Sequence, residues 1–189
     1  MEDAPRWTFL TNHGHVLLCL GQVPLRYQPG EQWMYSLATD VCGALWPLMQ
    51  KVGDADGIAS MGAWLEIAKP CDLAGYLAAV TARDAILTRW LTFLQERPLV
   101  VLPVLCDLPP VQRLDVTRDG QLKVVATLRS SFVAPVLGLP GLAVPVGRHG
   151  RLRTGVQIMA ARFREDLCLD AGEVVEAAEG TVRAVDPAA

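Results

Sequence analysis

Residues 130–179 read SSFVAPVLGLPGLAVPVGRHGRLRTGVQIMAARFREDLCLDAGEVVEAAE. This stretch divides into a turn, a strand, a Gly-containing connection, a second strand and a helix. Residues 142–146 are a short apolar run bounded by Pro140-Gly141 and Gly147, the pattern of a buried strand. Pro145 removes one backbone donor, so that strand should be short or lie at a sheet edge. Arg148, His149, Gly150 and Arg151 form a polar, turn-forming connection. Residues 154–160 are rich in apolar residues and predict a second strand. From Asp166 the period becomes helical. Leu167, Ala171, Val174 and Ala178 are expected on one face, with Asp170, Glu173, Glu176 and Glu179 mostly elsewhere.

Upstream, residues 99–105 (LVVLPVL) are continuously apolar and favour a strand buried on both faces, with Pro103 at an end or an edge. Before it, Asp72 is placed to cap a helix from residue 73 to about residue 96. Leu73, Leu77, Val80, Leu87, Trp90, Leu91 and Leu94 form its apolar stripe. Arg83-Asp84 reads as a solvated or salt-bridged helix surface. Residues 111–121 are mixed and charged, with a turn expected at Asp119-Gly120. A helix is expected within residues 121–134, ended or kinked by Pro135. Residues 58–69 predict a short helix stopped by Pro70. Residues 53–57 (GDADG) read as a solvated turn, because a calcium loop needs further oxygen ligands and a terminal Glu.

The motifs G-L-P-G-L-A-V-P-V-G and then G-V-Q-I-M-A-A-R-F-R-E-D-L-C-L resemble the C-terminal end of the amidase signature family. That resemblance extends more weakly back to about Pro70. It implies hydrolysis of carboxamide C–N bonds by a serine nucleophile, with no metal or other cofactor. The implied fold class is α/β: a partial amidase-signature-like fold of mixed sheet strands with flanking helices, in which this stretch is a strand pair and a closing helix. The expected divisions are an N-terminal segment outside the resemblance (1–40), a helical segment (41–69) and the amidase-like region (70–182). Residues 24–40 (PLRYQPGEQWMYSLATD) show a shorter resemblance to serine β-lactamase-like esterases, which implies an activating role for Tyr35. However, neither S-x-x-K nor K-T-G occurs in these 189 residues.

The amidase resemblance implies a serine nucleophile, a second serine in an unusual cis peptide and a proton-relaying lysine. A Gly-rich backbone would supply the oxyanion donors. These 189 residues contain no Gly/Ser-rich signature of that kind. The lysines are Lys51, Lys69 and Lys123, and Ser36 and Ser60 stand alone. Ser130-Ser131 is the one serine pair, but Lys123 lies about two helical turns before it, roughly 10 Å of rise. No catalytic residue is therefore assigned. His149 sits in a turn without an orienting partner, which disfavours a Ser-His-Asp set. Arg129, Gln157 and Arg162 are the polar positions of the matched region that could face substrate in a complete enzyme.

Composition narrows the alternatives. The chain is 51% hydrophobic with a formal net charge of −3, so neither nucleic acid nor a membrane surface is an expected partner. A helix-turn-helix is disfavoured because Gly21-Gln22-Val23-Pro24 follows the apolar residues 7–20 where a recognition helix should stand. His13 and His15 are two apart, a spacing that does not bring both to one helical face as a metal pair. Five scattered cysteines without a C-x-x-C pair suggest free thiols in a reducing cytoplasm. Glu2 and Asp3 oppose a secretory signal. The functional expectation is an amidase-related chain, inactive alone, whose partner is a missing N-terminal amidase half or a second copy. The alternatives are a non-catalytic binding or assembly module on the amidase scaffold, and a residual ester hydrolase using Tyr35.

Overall fold

A computed structural model describes residues 45–68, 71–150 and 152–180. Its centre is a three-stranded sheet in the order β1-β3-β2, where β1 is Leu99–Pro103, β2 is Gly141–His149 and β3 is Leu152–Ala160. Both pairings are antiparallel, with Val100 opposite Met159 and Val144 opposite Val156. Proline chemistry predicts this order. The two strands that contain proline, at Pro103 and Pro145, are the edges, and the proline-free β3 takes the centre, where both ladders need its N–H groups.

Helices complete the α/β arrangement: α1 (Trp46–Val52), α2 (Ala55–Ala68), α3 (Leu73–Glu96), α4 (Arg118–Leu128), α5 (Val133–Leu137) and α6 (Glu165–Glu179). Alternation along the strands divides the core in two. On one face Val100, Leu102 and Met159 pack with Ile86, Leu87, Trp90 and Leu94 of α3 and with Val133, Val136 and Leu137 of α5. On the other, Val144, Val146, Val156, Ile158 and Ala160 pack under α6 through Cys168, Leu167, Ala171 and Val175. This is the expected pair of strands with its closing helix, and β1 is covered on both faces as its unbroken apolar run requires.

Local chemistry sets the element ends. Asp72 Oδ1 accepts from the N–H of Gly75 at 2.8 Å and caps α3. Asp54 Oδ1 does the same for Gly57 at 2.8 Å, so the expected solvated turn at residues 53–57 is a helix start instead. The expected turn at Asp119-Gly120 is also helical. Thr117 caps α4 through the N–H of Gly120, and the helix begins at Arg118. Glycine is needed there for space: a Cβ on Gly120 would lie 1.6 Å from the carbonyl oxygen of Leu114, in the 3₁₀ turn Leu114–Val116. Pro135 neither ends nor kinks a long helix. It lies in the first turn of the separate five-residue α5, where a missing N–H costs little.

The face of α6 also differs from expectation. Val174 is 70% exposed and Ala178 is exposed, while Val175 packs on the sheet. Leu167, Ala171 and Val175 share one stripe at i, i+4, i+8, and Gly172 lies beneath it against Leu142. Sequence spacing alone allowed either stripe, and contact with β2 selects this one.

Candidate functional site

The serine pair lies where β1 ends. Ser130 is buried, and its hydroxyl donates to the carbonyl of Val104 at 3.3 Å. Ser131 donates to the same carbonyl. The Cys106 thiol reaches Ser130 Oγ at 3.3 Å, and the Cys106 N–H donates to Thr127 at 2.8 Å. Both hydroxyl protons are committed to a backbone acceptor, and these bonds tie the exit of β1 to the α4–α5 junction. Lys123 is exposed on α4, and no described hydrogen bond joins it to either serine. The peptide bonds between described residues are all trans. Among the described residues the arrangement is a structural tie, with both hydroxyls bonded to the Val104 carbonyl.

The remaining candidates are scattered. His149 closes β2 and is exposed, and Arg129 is exposed at the end of α4. Ser60 donates to Asp115 Oδ2 at 2.6 Å, joining α2 to the 3₁₀ turn. Gln157 points to the same sheet face as Met159, beside Gly141, and its Oε1 is buried without a partner among the described residues. His13, His15, Tyr35, Ser36 and Lys69 lie outside the described residues. Among the described residues no three His, Cys, Asp or Glu side chains gather as a metal site. Cys106 and Cys168 are free thiols.

Arg162, by contrast, belongs to a defined cleft. At the C-terminal end of α5 the chain turns through Gly138, whose φ of 64° is the left-handed C-cap conformation. Arg162 donates to the carbonyl of Leu137 at 3.3 Å, and Arg83 donates through Nε to that of Val136. These bonds satisfy carbonyls that the short helix leaves open, and cations suit that end of a helix. A cleft of about 370 Å³ opens alongside, lined by Gly138, Leu139, Pro140, Arg162, Phe163 and Glu165. Arg83 was missed in the sequence because it acts on a residue 53 positions away. Its ion pair with Asp84, at 3.4 Å, is the expected surface one. Beyond the cleft, Arg164 grips Asp166 at 2.9 Å, and that hydrogen bond is the main reason the Asp166 carboxyl is held below its ordinary range.

No family model matches the chain. Curated relatives do. An indoleacetamide hydrolase of Bradyrhizobium japonicum is 34% identical over 136 residues, which is 71% of this chain and 29% of the relative. An indoleacetamide hydrolase of Bradyrhizobium diazoefficiens is 34% identical over 113 residues, or 59% and 22% of the two chains. A solved amidase superimposes with a TM-score of 0.66 at 19% identity, over 84% of this chain and 37% of its own. The chain corresponds to part of an amidase signature enzyme. The fold agrees with a second solved neighbour, 6-aminohexanoate cyclic dimer hydrolase bound to its substrate (TM-score 0.64, 17% identity, 82% of this chain and 35% of that one). The chain thus spans well under half the length of each of these amidase relatives.

Proposed function

We propose that these 189 residues supply the C-terminal scaffold of an amide-hydrolysing enzyme and do not hydrolyse amides by themselves. One observation carries this reading: the adjacent serines Ser130 and Ser131 both donate to Val104, and among the described residues no lysine or histidine is bonded to either. A nucleophilic serine needs a base at its proton and aligned N–H donors at the developing oxyanion. Among the described residues no side-chain base is bonded to this pair. The nucleophile and the relay lysine come from an N-terminal amidase half, which is the proposed partner. The free thiols of Cys106 and Cys168 suit a reducing cytoplasm. No helix among the described residues is long and apolar enough to cross a membrane.

Leu73 and Leu77, exposed at 74% and 56%, support the second reading, an assembly module that keeps the amidase scaffold. The test is turnover by the purified chain with aryl and aliphatic primary amides, indoleacetamide included. The expected result is no ammonia release above buffer. Turnover that disappears in Ser130→Ala or Ser131→Ala would overturn the proposal. Ammonia release restored by adding a Gly/Ser-rich amidase half would separate the scaffold reading from the assembly module.

A further inference from the structure

The cleft at the C-terminal end of α5 places a cation and an anion side by side without pairing them. Arg162 and Glu165 both line it, yet neither forms an ion pair with any described residue. Arg162 is oriented by one bond, from Nη2 to Leu137. The guanidinium of Arg83 stands over the same Gly138 and adds positive potential on that side. Apart from Gly138, the rest of the lining is apolar, made by Leu139, Pro140 and Phe163.

Phe163 has a φ of 63° and is 87% exposed. A left-handed backbone is an outlier for a bulky residue and carries strain. The chain gains no burial of the ring in return, and the strained conformation leaves the ring at the mouth of the cleft.

We infer that this cleft binds a zwitterionic α-amino acid with a large apolar side chain. The carboxylate takes the N–H groups of Arg162 not used on Leu137, because guanidinium donors match a carboxylate in charge and plane. The ammonium donates to Glu165, and the side chain lies on Leu139, Pro140 and Phe163. One ligand thereby spans two charges that do not reach each other. A simple anion would meet Glu165 and a simple cation would meet Arg162, so each is disfavoured. The volume is within the usual range for a small-molecule site, about 300–1,000 Å³. The site lies at the opposite end of α5 from the serine pair and depends on neither serine, so it stands apart from the amidase proposal.

The experiment is calorimetric titration of the full chain with L-phenylalanine, phenylacetate and phenethylamine. Saturable binding of L-phenylalanine is expected, with each single-charge analogue weaker by about tenfold. Glu165→Gln should weaken L-phenylalanine by about tenfold and leave phenylacetate unchanged or tighter. Arg162 helps to close α5, so Glu165→Gln, on an exposed side chain, is the variant that separates recognition from folding. Phe163→Gly should weaken L-phenylalanine severalfold while raising the melting temperature, because glycine accepts this φ without strain. The inference fails if L-phenylalanine shows no saturable binding, if phenylacetate or phenethylamine binds as tightly, or if Glu165→Gln leaves L-phenylalanine affinity unchanged. Failure here leaves the amide-turnover test untouched, and the reverse also holds.

Discussion

The two ends of α3 follow one apolar pattern and meet different fates. Toward the C-terminus, Leu87 and Leu94 are buried, and Trp90 is wholly enclosed with its ring edge-on to Phe93 at 6.4 Å. Toward the N-terminus, Leu73, Leu77 and Val80 are exposed. Helical spacing states which side of a helix is apolar. It does not state how far the sheet beneath it extends. The difference is therefore one of contact and not of residue type, and it should be large in energy. Trp90→Ala should cost about 3–5 kcal/mol, as expected for emptying an aromatic site in a close-packed core. Leu77→Ala should change stability by no more than about 0.5 kcal/mol. Urea denaturation midpoints at constant slope measure both. Equal losses at the two positions would break the comparison.

Glycines repeat the contrast without side chains. Gly150 has a φ of 60° and no neighbour within 4 Å of a built Cβ, whereas a Cβ at Gly120 would run into backbone. Gly120→Ala should cost about 3 kcal/mol, since a carbonyl in a packed turn cannot move aside as a side chain can. Gly172 sharpens the point. Its Cβ would meet Leu142 Cδ2 at 2.4 Å, the flexible end of a side chain, so Gly172→Ala should cost about 1 kcal/mol. If Gly172 proved the more sensitive of the two, the obstacle's rigidity would not be what sets the cost.

The same distinction explains what could be read from sequence. The strand pair, its closing helix, the Asp72 cap and the edge positions of the two proline-bearing strands follow from local rules, because period, caps and missing donors act within a few residues. The start of α4 was misplaced because Asp119-Gly120 has turn chemistry, while the reason for glycine lies in Leu114, in a separate element. The choice of Val175 over Val174 on α6 depended on β2 in the same way. For the candidate site, Arg162 was among the residues named, but its acceptor in α5 and its companion Arg83 were not. No local signal links residues brought together only by the fold.

Ser131 tests the structural tie. Its hydroxyl shares the Val104 carbonyl with Ser130, so Ser131→Ala removes one of two donors and leaves the acceptor occupied. The expected cost is about 1 kcal/mol. Replacing both serines removes every described side-chain donor to that part-buried carbonyl and should cost more than the two single changes added together. Simple additivity, measured as a double-mutant cycle in urea, would mean that the two bonds do not share a task.

The smallest effect separates a buried thiol from a partly exposed one. Burial, with Glu165 and Asp166 adding to it, pushes the Cys168 thiol above its ordinary value, and the nearby carbonyl of Pro140 lies 3.9 Å from its sulfur. Folding therefore favours the protonated thiol. This contribution is complete below the unfolded thiol's pKa, about 8.5, and is lost as pH rises from there through the higher folded value. The urea midpoint should accordingly fall between pH 7 and pH 10, and Cys168→Ala should fall by less over the same range. Iodoacetamide at pH 8, read peptide by peptide, should label Cys106 before Cys168, because the thiolate is the reacting form and Cys168 is buried with its thiol held protonated. Labelling of Cys168 as fast as Cys106 would place it outside the seam between α6 and the sheet.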